Sequence, residues 1–273
     1  MKKIIALSLA LLMIMSIMSL TSCNSKEESD LTNIDDYVAS SYTVNIGTGI
    51  ITFADGTGET AVITGYTPTR HEAHVVIIPE KVGQDRIVTA IGDEAFKACT
   101  AMGEVVIPET VTSIGKAAFY SCDNLRKITI PASVKFIGEL AFANCDGIFK
   151  VDFAEGSALL EIGKNAFDGC VALETITLPE KLTTIGSGAF RNCAKLQKVE
   201  IPESVKEIGT QAYVGCASLN YDGCIVLTDK IENLGGFDPD AKDPATIIVF
   251  DTNKAFIKAP EGSYAAAFVN AMR

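Results

Sequence analysis

Six copies of one short word constrain this chain more than any other feature of its sequence. The word is Ile-Gly-x-x-Ala-Phe-x-x-Cys, and it begins at Ile91, Ile114, Ile137, Ile162, Ile185 and Ile208. Its aromatic position holds Phe96, Phe119, Phe142, Phe167, Phe190 and Tyr213. Its last position holds Cys99, Cys122, Cys145, Cys170, Cys193 and Cys216. Successive isoleucines step by 23, 23, 25, 23 and 23 residues. A fixed period of this length marks a solenoid, in which one repeat buries its apolar face only against the next.

Each repeat has a second half. Leu125 to Pro131 alternates apolar and polar residues up to the proline, and related stretches end at Pro79, Pro108, Pro179 and Pro202. Such alternation predicts a short, half-buried strand. The proline ends it, because proline cannot donate to a ladder. Val111, Val134, Leu182 and Val205 follow three residues after their prolines and predict a second extended segment. Ala, Phe and Cys then stand at +4, +5 and +8 from the isoleucine, a spacing that fits a helical turn or two with one face inward. The glycine after each isoleucine reads as a turn residue that a Cβ would hinder. The cysteine reads as a small buried hydrophobe. The expected fold is an α/β repeat solenoid, with a parallel sheet along one side, short helical turns on the other and a small β cap at the N-terminus.

The flanks divide the rest. Residues 1–22 read as a signal peptide, with Lys2 and Lys3 ahead of an apolar run from Ile4 to Leu20. The run ends in Leu20-Thr-Ser-Cys23, which resembles a bacterial lipobox and implies lipidation of Cys23. Residues 23–36 then form an acidic tether, and its Lys26-Glu27-Glu28 looks like a surface-export mark of Bacteroidetes-type lipoproteins. Removing the leader takes away two lysines and no acid, so the formal charge of −11 becomes 21 − 34 = −13. Residues 37–74 carry β-rich runs separated by Gly47-Thr-Gly49 and Asp55-Gly-Thr-Gly58, and predict an antiparallel cap. The stack occupies residues 75–219. Residues 220–273 close it, with Ser263 as N-cap of a terminal helix through Met272.

The pattern Cys-x-x-Leu-x-x-Ile-x-Ile-Pro-x-x-Val-x-x-Ile-Gly-x-x-Ala-Phe over residues 75–219 resembles the BspA-type leucine-rich repeats. That resemblance implies a leucine-rich-repeat stack in a bacterial cell-surface or secreted module that binds proteins, including in adhesion. With the leader it implies a lipid-anchored location in the bacterial cell envelope and a protein or glycan partner at the cell surface.

The chemistry-bearing residues exclude more than they assign. An acidic chain with 34 Asp and Glu against 23 Lys and Arg is poorly suited to a phosphate backbone, so no nucleic-acid partner is expected. His71 and His74 stand three apart, whereas a zincin helix needs four. Asp238, Asp240 and Asp243 lack the remaining ligands of a calcium loop. One column of parallel cysteines supplies a row of sulfurs and no tetrahedral cage. No nucleophile–base pair or phosphate loop is evident, so neither an enzyme nor a cofactor is expected. Function then falls to the outward strand positions, where Arg126, Lys127, Phe149 and Lys150 lie on neighbouring repeats, with Lys198 two repeats beyond Lys150. Arg and aromatic residues are enriched at interfaces.

Overall fold

The computed structural model describes residues 42–46, 48–69, 74–220, 225–236, 249–250 and 257–271. Cys23, the leader, the tether, His71 and the three aspartates after Gly236 lie outside the described residues.

A hairpin opens the described chain. Strands β1 (Tyr42–Asn45), β2 (Gly49–Asp55) and β3 (Thr60–Pro68) pair antiparallel in sequence order. Inward Ile51, Phe53, Ala61 and Ile63 are buried and join the main core. β3 then pairs in parallel with β6 (Arg86–Ile91), which hands the hairpin over to the stack.

Each rung of the stack carries two strands. Strands β4 (His74–Ile77), β7 (Met102–Val106), β9 (Lys127–Ile130), β11 (Lys150–Phe153) and β13 (Thr175–Ile176) form one parallel sheet. Strands β15 (Val199–Glu200), β17 (Ile225–Val226) and β19 (Ile257–Lys258) form a shorter sheet. The second extended segment of each repeat builds a sheet of its own. Strands β8 (Ser113–Ile114), β10 (Phe136–Ile137), β12 (Glu161–Ile162), β14 (Thr184–Ile185), β16 (Glu207–Ile208) and β18 (Asn233–Leu234) continue from β6 without a break. A short strand β5 (Lys81–Val82) pairs antiparallel with β6 within the insert after Pro79. The sequence pointed to one sheet; the structure has strands on both sides of the rung. Stacking also continues past residue 219, where the repeated word ends but Ile225, Leu227, Ile231, Leu234 and Phe250 stay buried.

Between the two strands of successive rungs lies the Ile-Gly-x-x-Ala-Phe-x-x-Cys word. It does not form an α-helix. Its third-from-isoleucine and seventh-from-isoleucine residues are left-handed: Glu94 and Ala98, Ala117 and Ser121, Leu140 and Asn144, Asn165 and Gly169, Gly188 and Asn192, Gln211 and Gly215. A left-handed residue every four positions prevents a right-handed helix from propagating. The result is a chain of tight turns. Ala95 N–H reaches Gly92 O at 3.4 Å and Cys99 N–H reaches Phe96 O at 3.2 Å. Intervening amides bond to the next rung, as Glu94 to Lys116 O at 2.8 Å, Phe96 to Ala118 O at 2.7 Å and Ala98 to Tyr120 O at 2.7 Å. These rung-to-rung bonds offset the strain of the non-glycine left-handed residues, about 1 kcal/mol each. Apolar spacing alone does not separate this turn chain from a helix, since both bring +4, +5 and +8 inward.

The columns of the core follow from this stacking. The rings of Phe96, Phe119, Phe142, Phe167, Phe190 and Tyr213 stack with centroids 5.1, 5.1, 5.2, 5.4 and 5.3 Å apart. Tyr66 covers the first ring at 5.4 Å, and Phe250 covers the last at 5.4 Å. Each repeat thiol from Cys122 to Cys216 points to a Phe carbonyl of the preceding rung, as Cys145 Sγ to Phe119 O at 3.0 Å. The column of glycines has a different cause from the expected turn. None of Gly115, Gly138, Gly163 or Gly186 needs a left-handed φ. A Cβ on Gly138 would lie 2.7 Å from the Gly115 carbonyl carbon, and one on Gly186 2.7 Å from that of Gly163. The backbones of neighbouring rungs touch there. Helix α1 (Tyr264–Ala271) closes the far end, with Ser263 Oγ accepting from Ala266 N–H at 3.0 Å and Phe268 packed edge-on against Phe250.

Candidate binding face

Alternation along β4, β7, β9, β11 and β13 sends one set of side chains into the core and the other to the surface. Strand register aligns the outward set into two columns. One runs Val75, Glu104, Lys127, Lys150, Thr175, and the other runs Ile77, Val106, Thr129, Asp152. Residues just ahead of the strands make a third column, because Arg126 N–H bonds Gly103 O at 3.2 Å and Phe149 N–H bonds Arg126 O at 3.0 Å.

The structure brings four of the five sequence-derived residues together. Lys127 and Lys150 are directly opposed in register. Arg126 and Phe149 adjoin them one residue earlier, and the Phe149 side chain is exposed. Lys198 stands apart, since Thr175 occupies the rung between, and it pairs with Glu200 on its own strand. The cluster is less basic than its sequence suggests. Asp152 sits between the two lysines, 3.1 Å from Lys127 Nζ and 2.9 Å from Lys150 Nζ. The hydrogen bond from Lys150 holds the Asp152 carboxyl below its usual range against the opposing effect of burial, and Lys127 adds a lesser contribution in the same direction as Lys150. Asp152 was legible only as an outward column residue. Its bridging role needs the register.

A second feature of the face lies nearer the hairpin. Val75, Ile77 and Val106 are 42%, 43% and 44% exposed, although each is a β-branched apolar residue. Ile77 and Val106 are register neighbours, so the three form one patch on adjacent strands. Their apolar character at outward positions is the sequence signal that identifies them. Open depressions below the face, one of about 780 Å³ between Thr175, Lys198, Glu200 and Glu203, are shallow and lined by mixed charges.

Among the described residues the buried thiols are kept protonated. Burial pushes the Cys99 thiol up to about 11 and the Cys170 thiol up to about 12, far from the thiolate that nucleophilic chemistry needs. All six repeat cysteines are buried. Among the described residues no group of three His, Cys, Asp or Glu side chains could hold a metal ion. None of the described helices is long and apolar enough to cross a membrane.

Comparison with known proteins matches this architecture. A model of the BspA type leucine rich repeat region fits residues 89–220 in six copies. A leucine-rich repeat protein from Bacteroides ovatus is 29% identical with a TM-score of 0.55, the match covering 73% of this chain and 52% of that one. This chain thus spans about half the length of that protein. The T. pallidum leucine rich repeat protein is 26% identical over 67% of this chain and 78% of its own, with a TM-score of 0.43. A leucine-rich repeat protein from Bacteroides capillosus is 30% identical over 51% of this chain and 84% of its own, with a TM-score of 0.32. No curated protein matches the sequence. Repeat period, inward columns and family model agree, and the chain belongs to the BspA-type leucine-rich repeat family of bacterial proteins.

Proposed function

We propose that this chain is a non-enzymatic binding module of the bacterial cell surface, anchored through lipid on Cys23, that holds a protein or glycan partner on the face of its five-stranded sheet. The carrying observation is the outward cluster of Arg126, Lys127, Phe149 and Lys150 on adjacent rungs. Their backbones are fixed by ladders on both sides, so the side chains meet a partner without first being ordered. The family and the apparent leader support a surface location, and the scarcity of reactive groups supports binding over catalysis.

Three experiments test this. Added protease should degrade the chain on intact cells, and Cys23→Ala should release it from the membrane fraction. Capture of surface partners by the purified protein should fall at least about tenfold in Arg126→Glu/Lys150→Glu, since interface charges reversed on a rigid face oppose the partner directly. Protection from protease in intact cells, together with crosslinks only to envelope components, would instead make it a structural part of the envelope.

A further inference from the structure

Among the described residues, the five-stranded sheet ends at β4 with no strand on its outer side. Every rung from β7 and β8 through β17 and β18 has a strand on each side. One rung further out than β4 and β6, the described residues fill one side. β3 lies beside β6, and Tyr66 covers Phe96 at 5.4 Å with its ring tilted by 36°. The residues before β3, which in every later repeat would form the strand of the other sheet, are β2, folded back antiparallel on β3. Beside β4, therefore, the matching position holds no strand among the described residues.

β4 is equipped for a neighbour there. His74 N–H bonds Ala101 O at 2.9 Å and Ile78 N–H bonds Val106 O at 3.0 Å, so the amides of 74, 76 and 78 face β7. By alternation Val75 and Ile77 turn their N–H and C=O groups to the vacant side. Those same residues point their side chains outward, beside Val106. Backbone groups that want a partner and an apolar patch to one side of them are the two components of strand addition. An uncovered apolar edge of this kind is normally blunted by charge or proline, and the strand His74-Val-Val-Ile77 has neither.

We propose that this vacancy is a docking site for a single extended segment of a partner protein, which adds to β4 as the missing strand. The inference rests on the reading of the chain as a binding module, but it places contact at β4, away from Arg126 and Lys150. A second solenoid docked edge to edge is a poor fit, because β1–β3 already extend the other sheet past this point and would meet its body. The segment carries apolar residues at alternate positions to cover Val75, Ile77 and Val106. It carries basic residues at its ends, since exposed Glu80 lies just beyond β4, exposed Glu104 stands in register with Val75 on β7 and the chain's net charge is −11.

The probe is a labelled synthetic peptide of alternating valine and threonine with a lysine at each end, titrated into the purified protein. Saturable binding is expected. N-methylation of the peptide amides that face β4 weakens it at least about tenfold, as loss of a buried hydrogen bond does. N-methylation in the alternate register changes it less than about twofold. Amide exchange at Val75 and Ile77 slows on binding, while exchange at Val76 is unchanged. Ile77→Glu weakens binding, and Arg126→Glu/Lys150→Glu leaves it intact. Absence of saturable binding, equal losses from both methylation registers, or indifference to Ile77→Glu would overturn the site. If those occur while Arg126→Glu/Lys150→Glu still loses partner capture, the binding module stands and only the strand site is lost.

Discussion

The turn side and the strand side of each rung are built from the same repeat but answer to different constraints. On the turn side the aromatic position is Phe in five copies and Tyr in one, and every Cys is retained. Each of these residues touches its counterparts above and below, so its size is set by the column. On the strand side the outward column changes from Val to Glu to Lys to Thr within five rungs. Those side chains face solvent, and no packing column fixes their size. The contrast separates residues that specify the stack from residues free to specify a partner.

Substitutions test that separation. The largest effect is expected from Phe142→Ala, which removes a fully buried ring stacked between Phe119 and Phe167. Urea titration should show a loss of about 3–5 kcal/mol; a loss under about 1 kcal/mol would mean the column is not a packing unit. Gly138→Ala comes next, because its Cβ meets backbone that cannot swing aside. A loss of about 1–3 kcal/mol is expected by the same titration. Tyr213→Phe should move the other way. The Tyr213 hydroxyl is buried without a hydrogen-bond partner among the described residues, and burial also raises its pKa. Deleting it should stabilise by about 1 kcal/mol.

The strand side should respond least. Lys150→Ala should change stability by less than about 1 kcal/mol, since its pair with Asp152 is solvent-exposed. Asp152→Asn carries a pH signature. A carboxyl held below its usual range stabilises the fold above the unfolded value of about 3.9 and loses that contribution as pH falls through the lower native value. The variant and parent should therefore differ slightly at neutral pH and converge in acid. Larger losses on this side than on the turn side would break the comparison.

Much of this was legible in the sequence. The period, the inward columns and the opposed Lys127 and Lys150 all follow from aligning the repeats. Three features did not. The left-handed residues fall on Glu94, Ala98, Ala117, Ser121, Leu140 and Gln211 as readily as on glycine or asparagine, so no turn-forming composition announces them. The glycine column reads as a turn signal, yet its cause is contact between backbones that no single repeat contains. The vacancy beside β4 depends on β2 reversing instead of continuing the stack, a choice made by the hairpin and invisible in the rung pattern.

The backbone contact at the glycines also fixes a scale. Rung spacing is set where main chain meets main chain, and the ring column repeats it at 5.1–5.4 Å along its length. Exchange of an outward residue changes what is written on a rung without moving the rung. The face therefore behaves as a graduated ruler, on which a partner engaged at one mark finds the next at a known distance whatever chemistry each mark carries.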